Sequence, residues 1–220
     1  MAEQSERLRE LAEIAARFDG RAPEYDRSSM HRGLAAAVAG FVRLSDIEAM
    51  LDVATGTGLV LRSLPVEGTR RLVGVDVSEG MLAVARSALP AAQFVRADAQ
   101  ALPFPTATFD LVTCVTALHL FADPIAALLE WRRVLRESGR VVVAVFRADA
   151  TGARPAPGAH GPLTARHFAF GTLDALADFA RAGGMRLSRH ITWTHPEPHD
   201  ECLIAEFVVD APGRNREHDA

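Results

Sequence analysis

The sequence contains no lysine: all 24 of its cationic side chains are arginine. A Schiff-base lysine, a phosphate-loop lysine and a kinase-type lysine are therefore excluded. Cysteine is scarce, with only 2 residues. Cys114 and Cys202 each sit inside an apolar run, which reads as buried thiols and not as a disulfide framework or a metal cage. No stretch approaches the roughly 18 consecutive apolar residues of a membrane span. The opening MAEQSERLRE is charged where a secretory signal is apolar, so a cytoplasmic location without a membrane partner is expected. Positive excess is missing too: 28 acidic against 24 basic residues give a formal charge of −4, which leaves no global footprint for nucleic acid. What remains, 220 residues at 49% hydrophobic and 24% charged, is the composition of one globular domain with at most a small cap.

Periodicity organises the chain. Leu8, Leu11, Ala15 and Phe18 recur at helical spacing, predicting an amphipathic helix over residues 3–18, and a second helix is expected over Met30–Leu44. Between them lies an irregular segment holding the single tyrosine, Tyr25. Apolar runs at 49–54, 71–76, 93–96, 109–115 and 140–146 read as buried strands, most of them separated by helical patterns. The clearest helix is expected from Asp123 to Glu137, with Pro124 in its first turn and Gly139 just past its end. A Gly/Ala/Pro-rich loop at 147–166 and a helix at Thr172–Ala182 follow. The runs at 185–194 and 201–209, with no helix between them, predict an antiparallel hairpin at the sheet edge. The reading is an α/β domain: a Rossmann-like seven-stranded, mostly parallel sheet covered by helices on both faces. Its expected divisions are a helical cap at 1–45, the main domain at 46–210 and a flexible tail at 211–220.

The stretch most informative for chemistry is Met50-Leu51-Asp52-Val53-Ala54-Thr55-Gly56-Thr57-Gly58-Leu59. A strand ends in an acidic residue, and a loop with two glycines then opens a helix. Glycine lets backbone approach a ligand closely, and a helix start offers N–H groups to a negative group. A second acidic residue, Asp76, ends the next strand 18 positions after Gly58, where a carboxylate can accept from both hydroxyls of a ribose. A dinucleotide fingerprint requires a third Gly or Ala, and that position is Leu61, which argues against NAD.

The pattern Asp52-x-x-x-Gly56-x-Gly58 instead resembles the first motif of class I S-adenosylmethionine (SAM)-dependent methyltransferases. The similarity continues in order through Val75–Leu82, Phe94–Phe104, Phe109–His119 and Gly139–Phe146. Phe18–Arg32 is similar to the lead-in of the small-molecule, ubiquinone/menaquinone-type branch. The resemblance covers roughly residues 18–209 and implies SAM as cofactor. It implies a binding set of Asp52, Thr55, Gly56, Thr57 and Gly58 on the first loop, with Asp76 and Val77 at the ribose. Met81 is a packing residue that also touches the cofactor. Asp98 would accept from the adenine amino group, with the Ala99 N–H near the ring. Val115 ends the fourth strand, and Tyr25 closes over the cofactor.

That fourth strand ends in Cys114-Val115-Thr116-Ala117. It lacks the Asn/Asp-Pro-Pro-aromatic motif of nucleobase amine methyltransferases and the carboxylates of metal-dependent catechol-type enzymes, so no metal is expected. A small organic acceptor is the better reading. The cap and the 147–170 loop are short, so the pocket is either open or completed by a second subunit in a homodimer. Two function classes stay open: methyl transfer to an O, N or C nucleophile, and SAM binding without transfer. If the acceptor must lose a proton, histidine is the expected base. His119, on the loop after the fourth strand, is the first candidate, and His31, in the lead-in, is the second. His167 lies at a loop-to-helix junction, and His195, His199 and His218 are too distant.

Overall fold

The computed structural model describes residues 2–65, 70–148, 169–196 and 200–210. Most of the loop expected at 147–166, His167, His199 and the tail at 211–220 lie outside the described residues. The elements, in chain order, are α1 (Ala2–Asp19), a 3-10 turn (Ala22–Arg27), α2 (Ser29–Phe41), β1 (Ala49–Val53), α3 (Leu59–Ser63), β2 (Arg71–Asp76), α4 (Glu79–Ala88), β3 (Gln93–Arg96) and β4 (Phe109–Val115). They continue through a 3-10 turn (Leu118–Leu120), α5 (Pro124–Val134), β5 (Leu135–Phe146), α6 (Leu173–Ala182), β6 (Met185–Thr194) and β7 (Glu201–Val209).

The seven strands form one sheet in the order β3-β2-β1-β4-β5-β7-β6. β1 to β5 pair in parallel. β7 runs antiparallel to both β5 and β6. The hairpin is therefore at the edge, as expected, but with its second strand inserted inward of its first.

Burial on both faces explains the continuous apolar runs. Along β1, Ala49, Leu51 and Val53 face a core shared with Leu128, Trp131 and Val134 of α5 and with Leu176, Phe179 and Ala180 of α6. Met50 faces the opposite core, built with Met30, Leu34 and Val38 of α2, Val60 and Leu61 of α3, and Leu82 and Ala85 of α4. The same period-2 alternation divides Val141, Val143 and Val145 from Val142, Ala144 and Phe146 on β5. α2 is thus part of the sheet's core, although it precedes the boundary expected at residue 45.

One helix is shorter than its sequence pattern. α5 begins as expected, with the Asp123 side chain accepting from the Ala126 N–H at 2.9 Å, but it stops at Val134. Its last carbonyls are taken by a neighbouring loop: the Ala107 N–H donates to Arg133 O at 3.0 Å and the Thr108 N–H to Val134 O at 2.8 Å. Leu135 then pairs with Phe109 as β5 begins. Gly139 is consequently no helix cap. It sits where the register shifts, and a Cβ there would lie 2.8 Å from Leu135 Cδ2 and 2.9 Å from Arg136 O.

The hairpin is locked to α2 by an ion pair whose carboxylate is buried and whose guanidinium is half-buried. Glu206 on β7 is only 5% exposed and accepts from Arg189 at 3.0 and 2.8 Å. Arg189 also donates to Phe41 O at 2.7 Å and lies 3.9 Å from the centroid of the Phe41 ring. Removing the carboxylate leaves a half-buried guanidinium short of its main partner. Glu206→Ala is therefore expected to lower unfolding free energy by about 2 kcal/mol, measured by urea titration. A loss below 0.5 kcal/mol, the scale of a surface substitution, contradicts the assignment.

Candidate functional site

The C-terminal ends of β1, β2, β3 and β4 meet beside the switch point of the sheet, where connections leave β1 and β4 in opposite directions. Ligands of open α/β sheets bind in such crevices. Two adjoining cavities open there. The larger, about 850 Å³, is lined by Gly56, Val75, Asp76, Val77, Met81, Asp98, Ala99 and Val115, with Phe18, Tyr25 and residues of α1 above them. The smaller, about 410 Å³, is lined by His31, Asp52, Thr55 and apolar residues of α2 and α3. Tyr25, Ala54, Gly56, Val115 and Thr116 line both.

Asp76 organises the larger cavity. Its carboxylate accepts from the Gly56 N–H at 2.9 Å and the Ser78 N–H at 2.9 Å, binding the loop after β1 to the loop after β2. Burial raises its pKa above the ordinary carboxylate value, against these hydrogen bonds. Asp98 accepts from the Gln100 N–H at 2.9 Å through one oxygen. The other oxygen pairs with Arg7 of α1 at 2.5 Å. Ala99 is held from behind, its carbonyl accepting from Trp131 Nε1 at 3.1 Å.

Asp52 is 1% exposed. Its oxygens accept from Thr55 Oγ1 at 2.6 Å and Thr113 Oγ1 at 2.5 Å. Burial nevertheless dominates and pushes its pKa up to about 6. Tyr25 stacks on His31, with ring centroids 4.1 Å apart and planes 17° from parallel. Burial pushes its phenol up to about 12, so it stays protonated near neutral pH. His31 Nδ1 lies 3.3 Å from the Tyr25 carbonyl oxygen. A carbonyl only accepts, so this contact selects the tautomer with its proton on Nδ1.

Of the residues predicted from sequence, Tyr25, Gly56, Asp76, Val77, Met81, Asp98, Ala99 and Val115 line the larger cavity, and Asp52, Thr55 and His31 the smaller. Thr57 and Gly58 line neither cavity. The Thr57 hydroxyl donates to Asp26 at 2.5 Å. Gly58, at φ +78°, packs its α-carbon toward Phe94 and donates its N–H to Thr55 O at 2.9 Å. The helix that follows, α3, spans only 5 residues. His119 sits beside Phe146, with ring centroids 6.3 Å apart, and is not among the residues lining either cavity. His195 is buried near Trp193 on the distal hairpin.

Sequence reasoning missed the roof and two strained residues. Arg7, Leu11, Ile14 and Phe18 of α1 line the larger cavity with Gln100 and Phe121. Helical spacing predicted α1, but nothing local states what its apolar face covers. Ala54 at φ +53° and Thr116 at φ +51° end β1 and β4 and line both cavities. Such backbone in non-glycine residues costs energy and collects at functional sites. Only the spatial meeting of the strand ends reveals it.

Open space and hydrogen-bond acceptors meet at this cavity. A Cβ at Gly56 would project between Tyr25 Cε1 and Met81 Sδ, 3.9 and 4.0 Å away, so the glycine leaves open the wall common to both chambers. Asp76 and Asp98 add acceptors at the strand ends.

Comparison with known proteins agrees. Residues 51–143 match the methyltransferase domain family. That match runs from β1 into β5, and SAM-dependent methyltransferases are among the solved structures that share the fold. The chain is 36% identical over 140 residues to the demethylmenaquinone methyltransferase of Renibacterium salmoninarum, covering 61% of this chain and 59% of that protein. With the Thermus thermophilus protein of the same name it shares 43% over 109 residues, covering 47% and 50%. The chain thus spans about half to three fifths of the length of these relatives. Among solved structures, a SAM-dependent methyltransferase of Thermotoga maritima superposes with a TM-score of 0.67 at 18% identity, covering 90% of this chain and 100% of that one. The 4+2 cyclase SpnF gives 0.63 at 19%, covering 81% of each, so the same fold also carries a protein named for a different reaction.

The raised pKa of Asp52 has a thermodynamic consequence. Between the ordinary value of 3.8 and about 6, the folded chain holds a proton that the unfolded chain has released. Its contribution is present at low pH and is lost as pH rises through 6, by about 3 kcal/mol for a shift of about two units. Asp52→Asn should flatten that fall, seen as the wild-type-minus-variant difference in unfolding free energy shrinking from pH 4 to pH 7. A difference independent of pH refutes it.

Proposed function

We propose that this chain transfers the methyl group of SAM to a small quinol-type aromatic acceptor, at a ring carbon beside a hydroxyl. The observation that carries the reading is the pair of adjoining chambers, with Asp76 and Asp98 on one side, Asp52 on the other, and Tyr25, Gly56 and Val115 shared. The acceptor class is supported by the names of the relatives, demethylmenaquinone methyltransferases and a ubiquinone/menaquinone C-methyltransferase of Geobacter sulfurreducens.

In this reading Asp76 holds the ribose hydroxyls, Asp98 accepts from the adenine amino group, the amino-acid end lies toward Asp52 and Thr55, and the acceptor enters the second chamber on its His31 side. Bound SAM supplies a methyl group already activated on a sulfonium, so the protein's task is alignment and exclusion of water. Asp98 is committed to Arg7, and ligand binding redistributes that contact. Ionised Asp52 and Asp76 favour a cationic ligand. Removing the acceptor's hydroxyl proton falls to histidine, and His31 is better placed than His119. It lines a chamber and has Nδ1 bound to a carbonyl, which gives Nε2 the accepting role.

Calorimetric titration with SAM and S-adenosylhomocysteine tests the site. Wild type should bind both, and Asp76→Ala should weaken binding about tenfold or more, the scale of a lost charge-assisted hydrogen bond. Cys114→Ala, in the core, should change it little. No heat at high micromolar ligand refutes the reading. An acceptor panel with S-adenosylhomocysteine as the product measured separates methyl transfer from binding alone. With an acceptor in hand, His31→Ala is expected to lower turnover at least about a hundredfold and to remove the acid limb of the pH–rate profile. His119→Ala should keep that limb, and the opposite result transfers the role to His119.

A further inference from the structure

The segment joining α1 to α2 repeats one local pattern, an aromatic residue followed by aspartate: Phe18-Asp19 and Tyr25-Asp26. Both aromatics line the larger cavity, and neither aspartate does. The carboxylates reach past the cavity to its two loops. Asp19 accepts from Ser78 Oγ at 2.5 Å and the Gly80 N–H at 2.8 Å, in the first turn of α4 after β2. Asp26 accepts from Thr57 Oγ1 at 2.5 Å and Arg62 Nη2 at 2.5 Å, on the glycine loop and α3 after β1. Each loop is thus gripped from outside by the residue that follows a cavity aromatic.

The grips are closely fitted. A Cβ at Gly80 would lie 3.0 Å from both Cα and Oδ1 of Asp19. Ser78, fully buried, also accepts from the Met81 N–H at 3.1 Å, which links Asp19 to a cavity-lining residue. Hydrogen bonding by Ser78 holds the Asp19 carboxyl below its ordinary pKa. Between the two anchors the Arg21 guanidinium carbon lies 5.5 Å from the Phe18 centroid and 5.6 Å from the Tyr25 centroid. Phe18, Arg21, Tyr25 and His31 form one stacked wall suspended from two carboxylates.

We infer that Asp26 is the positioning residue for Tyr25, and Asp19 for Phe18, so that setting the two cofactor loops and closing the aromatic wall are one event. Asp26 acts on ligand affinity through Tyr25 and touches no ligand itself. The inference rests on the cavity being the SAM site, and its test has one arm that needs no ligand.

Tyr25 is the only tyrosine, so selective ring labelling gives a single NMR signal. In wild type that signal carries the shift of a ring stacked on His31. In Asp26→Ala it should move toward the position of an exposed tyrosine, while in Cys114→Ala it should stay. The second arm is a double-mutant cycle read by S-adenosylhomocysteine titration. Asp26→Ala and Tyr25→Ala should each weaken binding about tenfold or more. The double variant should be no more than about twofold weaker than Tyr25→Ala alone, because coupled residues do not add. Asp19 receives both donors on Oδ1, an oxygen that asparagine retains, so Asp19→Asn should bind within about twofold of wild type where Asp19→Ala does not. Should Asp26→Ala fail to fold, Asp26→Asn serves in both arms. It keeps an acceptor for Thr57 and loses the charge pair with Arg62, and an intermediate shift and loss are expected. An unmoved tyrosine signal, additive losses in the cycle or no rescue by Asp19→Asn overturns the inference. Absence of binding by wild type refutes the site reading instead, and the NMR arm still decides the latch.

Discussion

The bond from the Gly56 N–H to the Asp76 carboxylate, 2.9 Å long, joins two loops that leave neighbouring parallel strands, and the cavity is built around it. Parallel register brings Val53 beside Val75, so β1 and β2 end at the same level. Without a cross-loop tie the chain after β1 would have no fixed height above the sheet. Asp76 supplies the tie and receives the Ser78 N–H from its own loop. Two backbone bonds reinforce it, Thr55 N–H to Val75 O at 2.9 Å and Ala97 N–H to Asp76 O at 3.0 Å. The cost is a carboxylate kept partly out of water, which its raised pKa records. Carboxylates perturbed in this way, set in a crevice, mark a candidate functional site.

Around that tie the molecule separates support from contact. The buried Asp52 network joins β1 to Thr113 of β4, so the two strands flanking the switch point are linked through a polar interior. Trp131 carries the core of α5 to the Ala99 carbonyl. Ala54 and Thr116 hold left-handed backbone where β1 and β4 end. The surrounding ladder fixes them, including the Thr116 N–H to Ala144 O bond at 2.8 Å. The roof is different in kind. α1 meets the rest through Arg7, the apolar face of Leu11 and Ile14, and Asp19 at its end. An element with few anchors opens at lower free energy than a core strand, which suits a cover over a small-molecule site.

Sequence determined the strands, their order of appearance and the acidic residues at or near their C-terminal ends. A strand buried on both faces needs a near-continuous apolar run, against which Asp76 at the end of β2, Asp52 one residue before the end of β1 and Asp98 two residues past β3 stand out. Glycine at 56 and 58 was legible for a related reason: positive φ there, +55° and +78°, is adopted at least cost by a residue without a Cβ. The two glycines nevertheless serve different ends. Gly56 opens the cavity wall, while Gly58 admits Phe94 and starts α3, and local sequence does not separate these uses.

Tertiary structure alone decided the rest, because the deciding contacts join residues far apart in the chain. α5 ends at Val134 since residues 107 and 108 claim its carbonyls, although its own sequence continues a helical pattern. Glu206 and Arg189 look like surface charges in an edge hairpin until β7 inserts beside β5, which buries Glu206 and sets Arg189 against Phe41. His31 and His119 are equivalent as residue types. The fold places one against Tyr25 at a chamber and the other beside Phe146. Periodicity encodes which face of an element is apolar, a property of near neighbours. What that face meets depends on strand order and register, which no stretch of sequence contains by itself.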